Sequence, residues 1–267
     1  MLDEQYSRQS FLGGSVQKRF QAVKVAIIGL GGGGSHIAQQ LAHLGILNYV
    51  LYDPQTIELS NLNRMVGARR SDVGALKILV AQRIILDIQP KANVYVVADR
   101  WQKMPELLRG CDIIFGCVDT FKDRNELEAS ARRYLIPYID IGMDIFKIGN
   151  ELPRMVGQVI LSLPGSHCLR CLDFITEQNL GNEASNYGAA GGRPQVVWPN
   201  GILASSAVGL AVSMITGWNE TNNFPIYLSY DGNSMCVTRH IRLDYELPEK
   251  CEHFPPSKVG EPEYKNV

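Results

Sequence analysis

Apolar residues in this chain come in short runs separated by stretches of helical periodicity. Val25-Ala26-Ile27-Ile28, Tyr49-Val50-Leu51-Tyr52, Val94-Tyr95-Val96-Val97 and Ile113-Ile114-Phe115 are rich in β-branched or aromatic side chains. Short continuous runs of this kind suit strands buried on both faces. They predict strands at 24–28, 48–52, 93–97 and 112–116. The intervening segments predict helices at 34–44, 74–88 and 103–109, with another at 124–134. Strand–helix alternation implies a parallel sheet with right-handed crossovers. A further strand is expected at 138–141.

The texture then changes. Met155-Val156-Gly157-Gln158-Val159-Ile160-Leu161 reads as an antiparallel strand, and residues 168–198, rich in Gly, Asn and Pro, read as a long crossover loop. An apolar helix is expected at 201–217. It falls short of the roughly 20 strongly apolar residues a membrane span needs, so no membrane is expected. Tyr227-Leu228-Ser229-Tyr230 and Cys236-Val237-Thr238-Arg239 flank Asp231-Gly232-Asn233, a turn signal between strands. Residues 248–267, with many charges and few core residues, read as an irregular and partly mobile tail. Residues 1–22 read as a polar helical arm.

Composition narrows the class of protein. The chain has 267 residues and a net charge of −1, with a pI of about 6.5. No basic excess argues for a nucleic-acid partner. The N-terminus has no basic region before an apolar core, so no signal peptide is expected there. Six cysteines, two of them as Cys168-x-x-Cys171, suggest a reduced cytoplasmic protein with a candidate metal site.

Gly29-Leu30-Gly31-Gly32-Gly33-Gly34 stands between the first strand and the first helix. Its spacing, Gly29-x-Gly31-x-x-Gly34, is that of a turn that brings backbone close to an anion at a helix N-terminus. Asp53 ends the second strand, about 20 residues on, where a ribose hydroxyl is commonly held. A hydride-transfer enzyme needs little more. Here Asn61, Arg64 and Lys77 follow, and three donors near a triphosphate suit nucleotidyl transfer better. A lysine at a helix start opposes the helix dipole, which favours a functional role for Lys77. Asp119 follows the fourth strand, at the edge where open α/β sheets bind ligands.

Eight pieces in order resemble the ThiF/MoeB/HesA adenylyltransferases, bacterial relatives of ubiquitin-activating enzymes. They are Tyr6-x-Arg8-Gln9, Gly29-Leu30-Gly31-Gly32, Asp53, Ser60-Asn61-Leu62-x-Arg64, Asp72-Val73-Gly74-x-x-Lys77, Cys117-Val118-Asp119, Arg124-Asn125 and Cys168-Leu169-Arg170-Cys171. The resemblance implies a Rossmann-like, doubly wound, mostly parallel α/β sheet, extended by antiparallel strands in the C-terminal part. It implies one adenylation domain over residues 1–267. Residues 23–145 would be the nucleotide-binding half, and residues 146–247 the half for protein substrate and dimer contacts.

The implied reaction is ATP-dependent adenylation of the C-terminal carboxylate of a small ubiquitin-like or sulfur-carrier protein ending in glycine. Gly29, Gly31, Gly32 and Gly34 would seat the nucleotide and Asp53 the ribose. Ser60, Asn61, Arg64 and Lys77 would contact the phosphates, and Asp119 with Thr120 would hold magnesium and nucleotide. Arg8 resembles an arginine that reaches the active site of the other protomer in a homodimer. Arg124 could serve the site, or pair with Asp119 or Asp123. A sulfur-transfer or conjugating enzyme would act downstream.

Two departures stand out. The family often completes its zinc site with a second Cys-x-x-Cys, but this chain offers Cys251-Glu252-His253. Cys168, Cys171, Cys251 and His253 are the candidate zinc ligands, with free thiols the alternative. Many relatives also carry a reactive cysteine in the crossover loop. Residues 172–200 contain none, so the enzyme is expected to stop at the adenylate. The competing readings are a tRNA-modifying, carboxylate-activating enzyme of the same fold and a non-catalytic nucleotide-binding scaffold.

Overall fold

The computed structural model describes residues 4–185, 194–219 and 226–260. Among these residues eight strands form one sheet in the order β3-β2-β1-β4-β5-β6-β7-β8. The strands are β1 Lys24–Ile28, β2 Asn48–Tyr52, β3 Asn93–Val97, β4 Ile113–Gly116, β5 Tyr138–Phe146, β6 Arg154–Ser162, β7 Tyr227–Asp231 and β8 Cys236–Arg239. The first five run parallel, and β6, β7 and β8 extend the sheet antiparallel. The Rossmann-like mixed sheet expected from the sequence is present. The order reverses beside β1, between β2 and β4, and such switch points open a crevice at the C-terminal strand ends.

Helices cover both faces: α1 Val16–Ala22, α2 Gly32–Leu44, α3 Lys77–Ile88, α4 Phe121–Arg133, α5 Glu177–Ser185 and α6 Val197–Thr216. Ile37, Ala38, Leu41 and Ala42 of α2 are fully buried and share one core with Ile27 and Leu51 of the sheet and with Leu203, Ala204 and Ala207 of α6. Burying a side chain such as Ile37 or Leu41 contributes about 1.5–3 kcal/mol. A second core on the opposite face joins Ile28, Ile114, Leu127, Tyr138 and Leu169.

Several boundaries differ from the sequence reading. The helix expected from residue 74 begins at Lys77, because Gly74 adopts φ +92° and Leu76 pairs with Thr56 in an isolated bridge. Residues 103–109 are not one helix: two 3₁₀ turns, Trp101–Lys103 and Pro105–Gly110, flank Met104. The N-terminal arm also opens on a 3₁₀ stretch, Glu4–Leu12. The segment read as a crossover loop carries α5 and the first two residues of α6.

Helix α6 is 20 residues long, so it does reach membrane-spanning length and apolarity, contrary to the shorter segment expected. Leu203, Ala204, Ala207, Val208, Leu210 and Ala211 nevertheless pack it into the core. Residues 248–260 are better anchored than their composition suggests, and residues 261–267 lie outside the described residues. A 3₁₀ turn at Pro256–Lys258 follows Phe254, whose ring lies 5.6 Å from the Arg132 guanidinium, and Gly260 N donates to Arg133 O at 2.7 Å.

The turn between β1 and α2 depends on missing side chains. Gly29 has φ +88°, and a Cβ there would overlap the Cys117 carbonyl. A Cβ at Gly34 would overlap the Gly29 carbonyl, whereas a Cβ at Gly31 would meet open space. Gly34→Ala is therefore expected to cost about 1–3 kcal/mol in chemical denaturation, and Gly31→Ala no more than about 0.5 kcal/mol. Equal losses would contradict this account of the turn.

Candidate functional site

The site begins at the C-terminal edge of β1, β2 and β4. Gly31 is the N-cap of α2 and makes no side-chain cap, so the helix opens on backbone N–H groups beside empty space. Such a terminus favours an anion. Ser35 fastens the first turn, donating to Gly32 O at 3.0 Å and accepting from Val66 N at 3.0 Å.

Asp53 follows β2 directly and is almost wholly buried. One carboxylate oxygen accepts from Leu30 N at 2.7 Å and the other from Gln55 N at 2.8 Å. It thus joins the end of β2 to the glycine turn. Burial pushes its carboxyl above the ordinary value, opposed by these two N–H groups and by Lys77.

Lys77 reaches the same place by a different route. The bridge between Thr56 and Leu76, with Lys77 N donating to Gln55 O at 3.0 Å, sews the segment after β2 to the start of α3. Lys77 is buried, and its Nζ donates to Gln55 Oε1 at 2.7 Å. Sequence reasoning did not single out Gln55. Only the bridge, invisible in one sequence, makes it the partner of Lys77.

The stretch around Ser60 is a self-capped turn. Asn61 is buried, and its Oδ1 accepts from Glu58 N at 3.1 Å, while Ser60 Oγ donates to Glu58 Oε2 at 3.1 Å. Arg64 Nη1 donates to Ser60 O at 2.7 Å and to Asn63 Oδ1 at 3.0 Å, which holds its head at the turn. Asp72 braces the fold: both its oxygens receive Arg83 at 2.8 Å, and this pair holds its carboxyl down at about 2.

Asp119 is exposed three residues past β4, and no hydrogen bond or ion pair among the described residues engages its carboxylate. Thr120 caps α4 by accepting from Asp123 N at 3.0 Å. Arg8 is exposed on the N-terminal arm. Neither suggested partner of Arg124 is its actual one. Arg124 is buried against Asp140 of β5, which also accepts from Tyr138 Oη at 2.8 Å. Asp140 is itself fully enclosed, so each of the two buried charges compensates the other. Asn125 is taken by Arg170 Nε at 2.9 Å.

The four predicted metal ligands converge. One ligand atom each from Cys168, Cys171, Cys251 and His253 falls within 4.8 Å of the others. The two cysteine sulfurs of the Cys-x-x-Cys lie 3.6 Å apart, and His253 Nδ1 stands 3.4 Å from each and 4.0 Å from Cys251 Sγ. Tetrahedral zinc with bonds of about 2.0–2.3 Å sets its ligand atoms about 3.5–3.8 Å apart; Cys168, Cys171 and His253 stand close to that spacing, with Cys251 somewhat farther out. Burial pushes the Cys168 and Cys171 thiols up. A cation would reverse that balance by binding thiolates. Glu128 of α4 supports the knuckle, accepting from Ser162 Oγ at 2.5 Å and Leu169 N at 3.0 Å. The stretch Asn186-Tyr187-Gly188-Ala189-Ala190-Gly191-Gly192, expected where relatives carry a reactive cysteine, lies outside the described residues.

The glycine turn, the ordered polar residues after β2 and the cysteine knuckle define one class of protein. The ThiF family model matches residues 2–252, and the chain belongs to the ThiF family. Among curated relatives, the molybdopterin-synthase adenylyltransferase of Escherichia coli is 28% identical over 89% of this chain and 91% of its own length. The SAMP-activating enzyme E1 of Haloferax volcanii is 29% identical over 63% of this chain and 61% of its own length. Among solved structures, E. coli MccB with ATP superposes with a TM-score of 0.71 at 22% identity, covering 89% of this chain and 71% of MccB, and shares the fold.

The purified chain is expected to carry about one tetrahedral metal ion, measured by elemental analysis. Chelation should lower the melting temperature by at least about 5 °C, since binding energy at such a site is folding energy. A metal-free chain with an unchanged melt in chelator would contradict the site.

Proposed function

We propose that this chain is an adenylyltransferase that activates the C-terminal carboxylate of a small ubiquitin-fold protein ending in glycine. The observation that carries this reading is the convergence of Asp53, Gln55 and Lys77 on the glycine turn, with an unengaged Asp119 on the neighbouring strand end. A dinucleotide enzyme has no task for a buried lysine beside its ribose carboxylate. The curated relatives named as an adenylyltransferase and an activating enzyme support the same chemistry.

In this reading a substrate carboxylate oxygen attacks the α-phosphorus of ATP. The bond between the α- and β-phosphates breaks, and pyrophosphate leaves with its electron pair. Charge then builds on phosphoryl oxygens, so catalysis is positioning and cationic stabilisation. Gly29 and Gly34 shape the turn, and the N–H groups from Gly31 and Gly32 onward seat phosphate. Asp53 takes the ribose through its remaining lone pairs. Ser60, Asn61, Arg64 and Lys77 grip the triphosphate, with Lys77 exchanging Gln55 for a phosphate oxygen.

Asp119, followed by Thr120, is the carboxylate for Mg2+, whose chemistry is to neutralise charge on the leaving pyrophosphate. Arg8, exposed on its arm, reaches the site of a second copy in a two-fold homodimer. Zn2+ in the Cys168, Cys171, Cys251 and His253 knuckle is structural. The chain works as one adenylation unit in the cytoplasm and hands its adenylate to a sulfur-transfer or conjugating enzyme.

Asp119→Ala should abolish acceptor-dependent ATP–pyrophosphate exchange while the fold persists, and Arg8→Ala should do the same. Mixing the two inactive proteins under subunit exchange should restore activity, because each mixed dimer holds one intact site. Exchange near wild type in Asp119→Ala would refute the mechanism. Silence after proven subunit exchange would refute the action of Arg8 across the dimer.

A further inference from the structure

Helix α4 begins two residues after Asp119, and its N-terminus is capped in an unusual way. Thr120 Oγ1 accepts the N–H of Asp123, an ordinary local cap. The N–H groups of Phe121 and Lys122 have a distant acceptor instead. Glu183 of α5 takes Phe121 N on Oε1 and Lys122 N on Oε2, each at 3.0 Å. The first three N–H groups of α4 therefore all have partners, and two of those partners sit on one carboxylate more than 60 positions along the chain.

A helix N-terminus is worth satisfying, but a local side chain would do that as well. A distant carboxylate achieves something more: it fixes where the segment before α4 stands relative to α5. Further contacts hold the two segments together. Arg170, itself bonded to Asn125 of α4, donates to Glu177 of α5 at 2.5 Å, and the rings of Phe121 and Phe174 lie 5.6 Å apart. Among the described residues, no hydrogen bond or ion pair engages the Asp119 carboxylate. Its direction is set by the backbone from 119 to 122, and Glu183 grips that backbone.

We infer that Glu183 is a positioning residue for the reaction: by holding the N–H groups of Phe121 and Lys122, it aims the Asp119 carboxylate at the cation that accompanies the nucleotide. This rests on the adenylation reading for its consequence, but not for its geometry. Partners that orient a metal-binding side chain commonly carry about 10–100-fold of metal affinity.

Two measurements on the full chain test this. The first is hydrogen–deuterium exchange without ligand. In Glu183→Ala the amides of residues 120–123 should exchange about tenfold faster, with Glu183→Gln intermediate because its amide oxygen still accepts one N–H. The second is the Mg2+ concentration giving half-maximal ATP–pyrophosphate exchange. It should rise about tenfold in Glu183→Ala, with KM for the acceptor protein unchanged. A cap with a merely structural role would lower the melting temperature and leave the Mg2+ midpoint alone.

Unchanged amide exchange would overturn the inference, and so would faster exchange with an unmoved Mg2+ midpoint. If the wild type shows no pyrophosphate exchange at all, the adenylation reading fails by itself. The Mg2+ midpoint is then read from calorimetric binding of a non-hydrolysable ATP analogue to the same proteins, with the same tenfold criterion.

Discussion

The approach of Gly34 to the Gly29 carbonyl is the constraint on which the rest of the site depends. A side chain at either position would open the turn, and α2 would start farther from the sheet. With both bare, the helix begins at the very edge of β1, beside the point where the strand order reverses between β1 and β4. Asp53 locks this arrangement from the other side by accepting Leu30 N, so the end of β2 and the turn move as one piece. Burial raises the Asp53 carboxyl, opposed in part by the backbone donors and by Lys77.

The C-terminal part of the chain serves the same edge in a different way. Strands β6, β7 and β8 turn the parallel sheet antiparallel, and β6, pairing Arg154 with Phe146 and Ser162 with Tyr138, carries the chain back to the edge where β5 begins. The cysteine knuckle sits under α4, held by Glu128 and by Arg132, which donates to Ser166 O and His167 O. Cys251 and His253 draw the tail onto that knuckle, and Phe254 lays its ring against Arg132. Helix α4 is thus held at both ends, by the knuckle and tail at its C-terminus and by Glu183 at its N-terminus. Asp119 projects from the loop that this helix steadies.

The parallel half was legible because it is written in local signals. Four β-rich runs, a six-residue glycine turn and an acid after the second run are contiguous patterns, and the first four strands fell within one residue of their expected places, whereas β5 runs five residues beyond its expected end at 141. The meeting of Cys168, Cys171, Cys251 and His253 was legible too, although Cys-x-His is a short spacing for a tetrahedral site. What escaped notice was long-range pairing. Arg124 reads as a neighbour of Asp119 or Asp123 in sequence, yet the sheet carries Asp140 beneath it. Gln55 becomes a lysine partner only through the bridge of Thr56 to Leu76. Helix α5 is rich in polar and small residues and carries little apolar periodicity, so it read as loop. Its place is given by Glu183 and Glu177, two side chains whose partners are far away in sequence.

The central claim is that the polar cluster beyond the glycine turn grips a triphosphate rather than a dinucleotide or a monophosphate. Equilibrium titration of the full chain with ATP, AMP and NADH in the presence of Mg2+ tests it without any acceptor protein. The account predicts that ATP binds at least about tenfold more tightly than AMP, which corresponds to about 1.4 kcal/mol. It also predicts that NADH binds no better than AMP and that Lys77→Ala with Arg64→Ala erases the preference for ATP. Equal affinity for ATP and AMP, or tighter binding of NADH than of ATP, would contradict it.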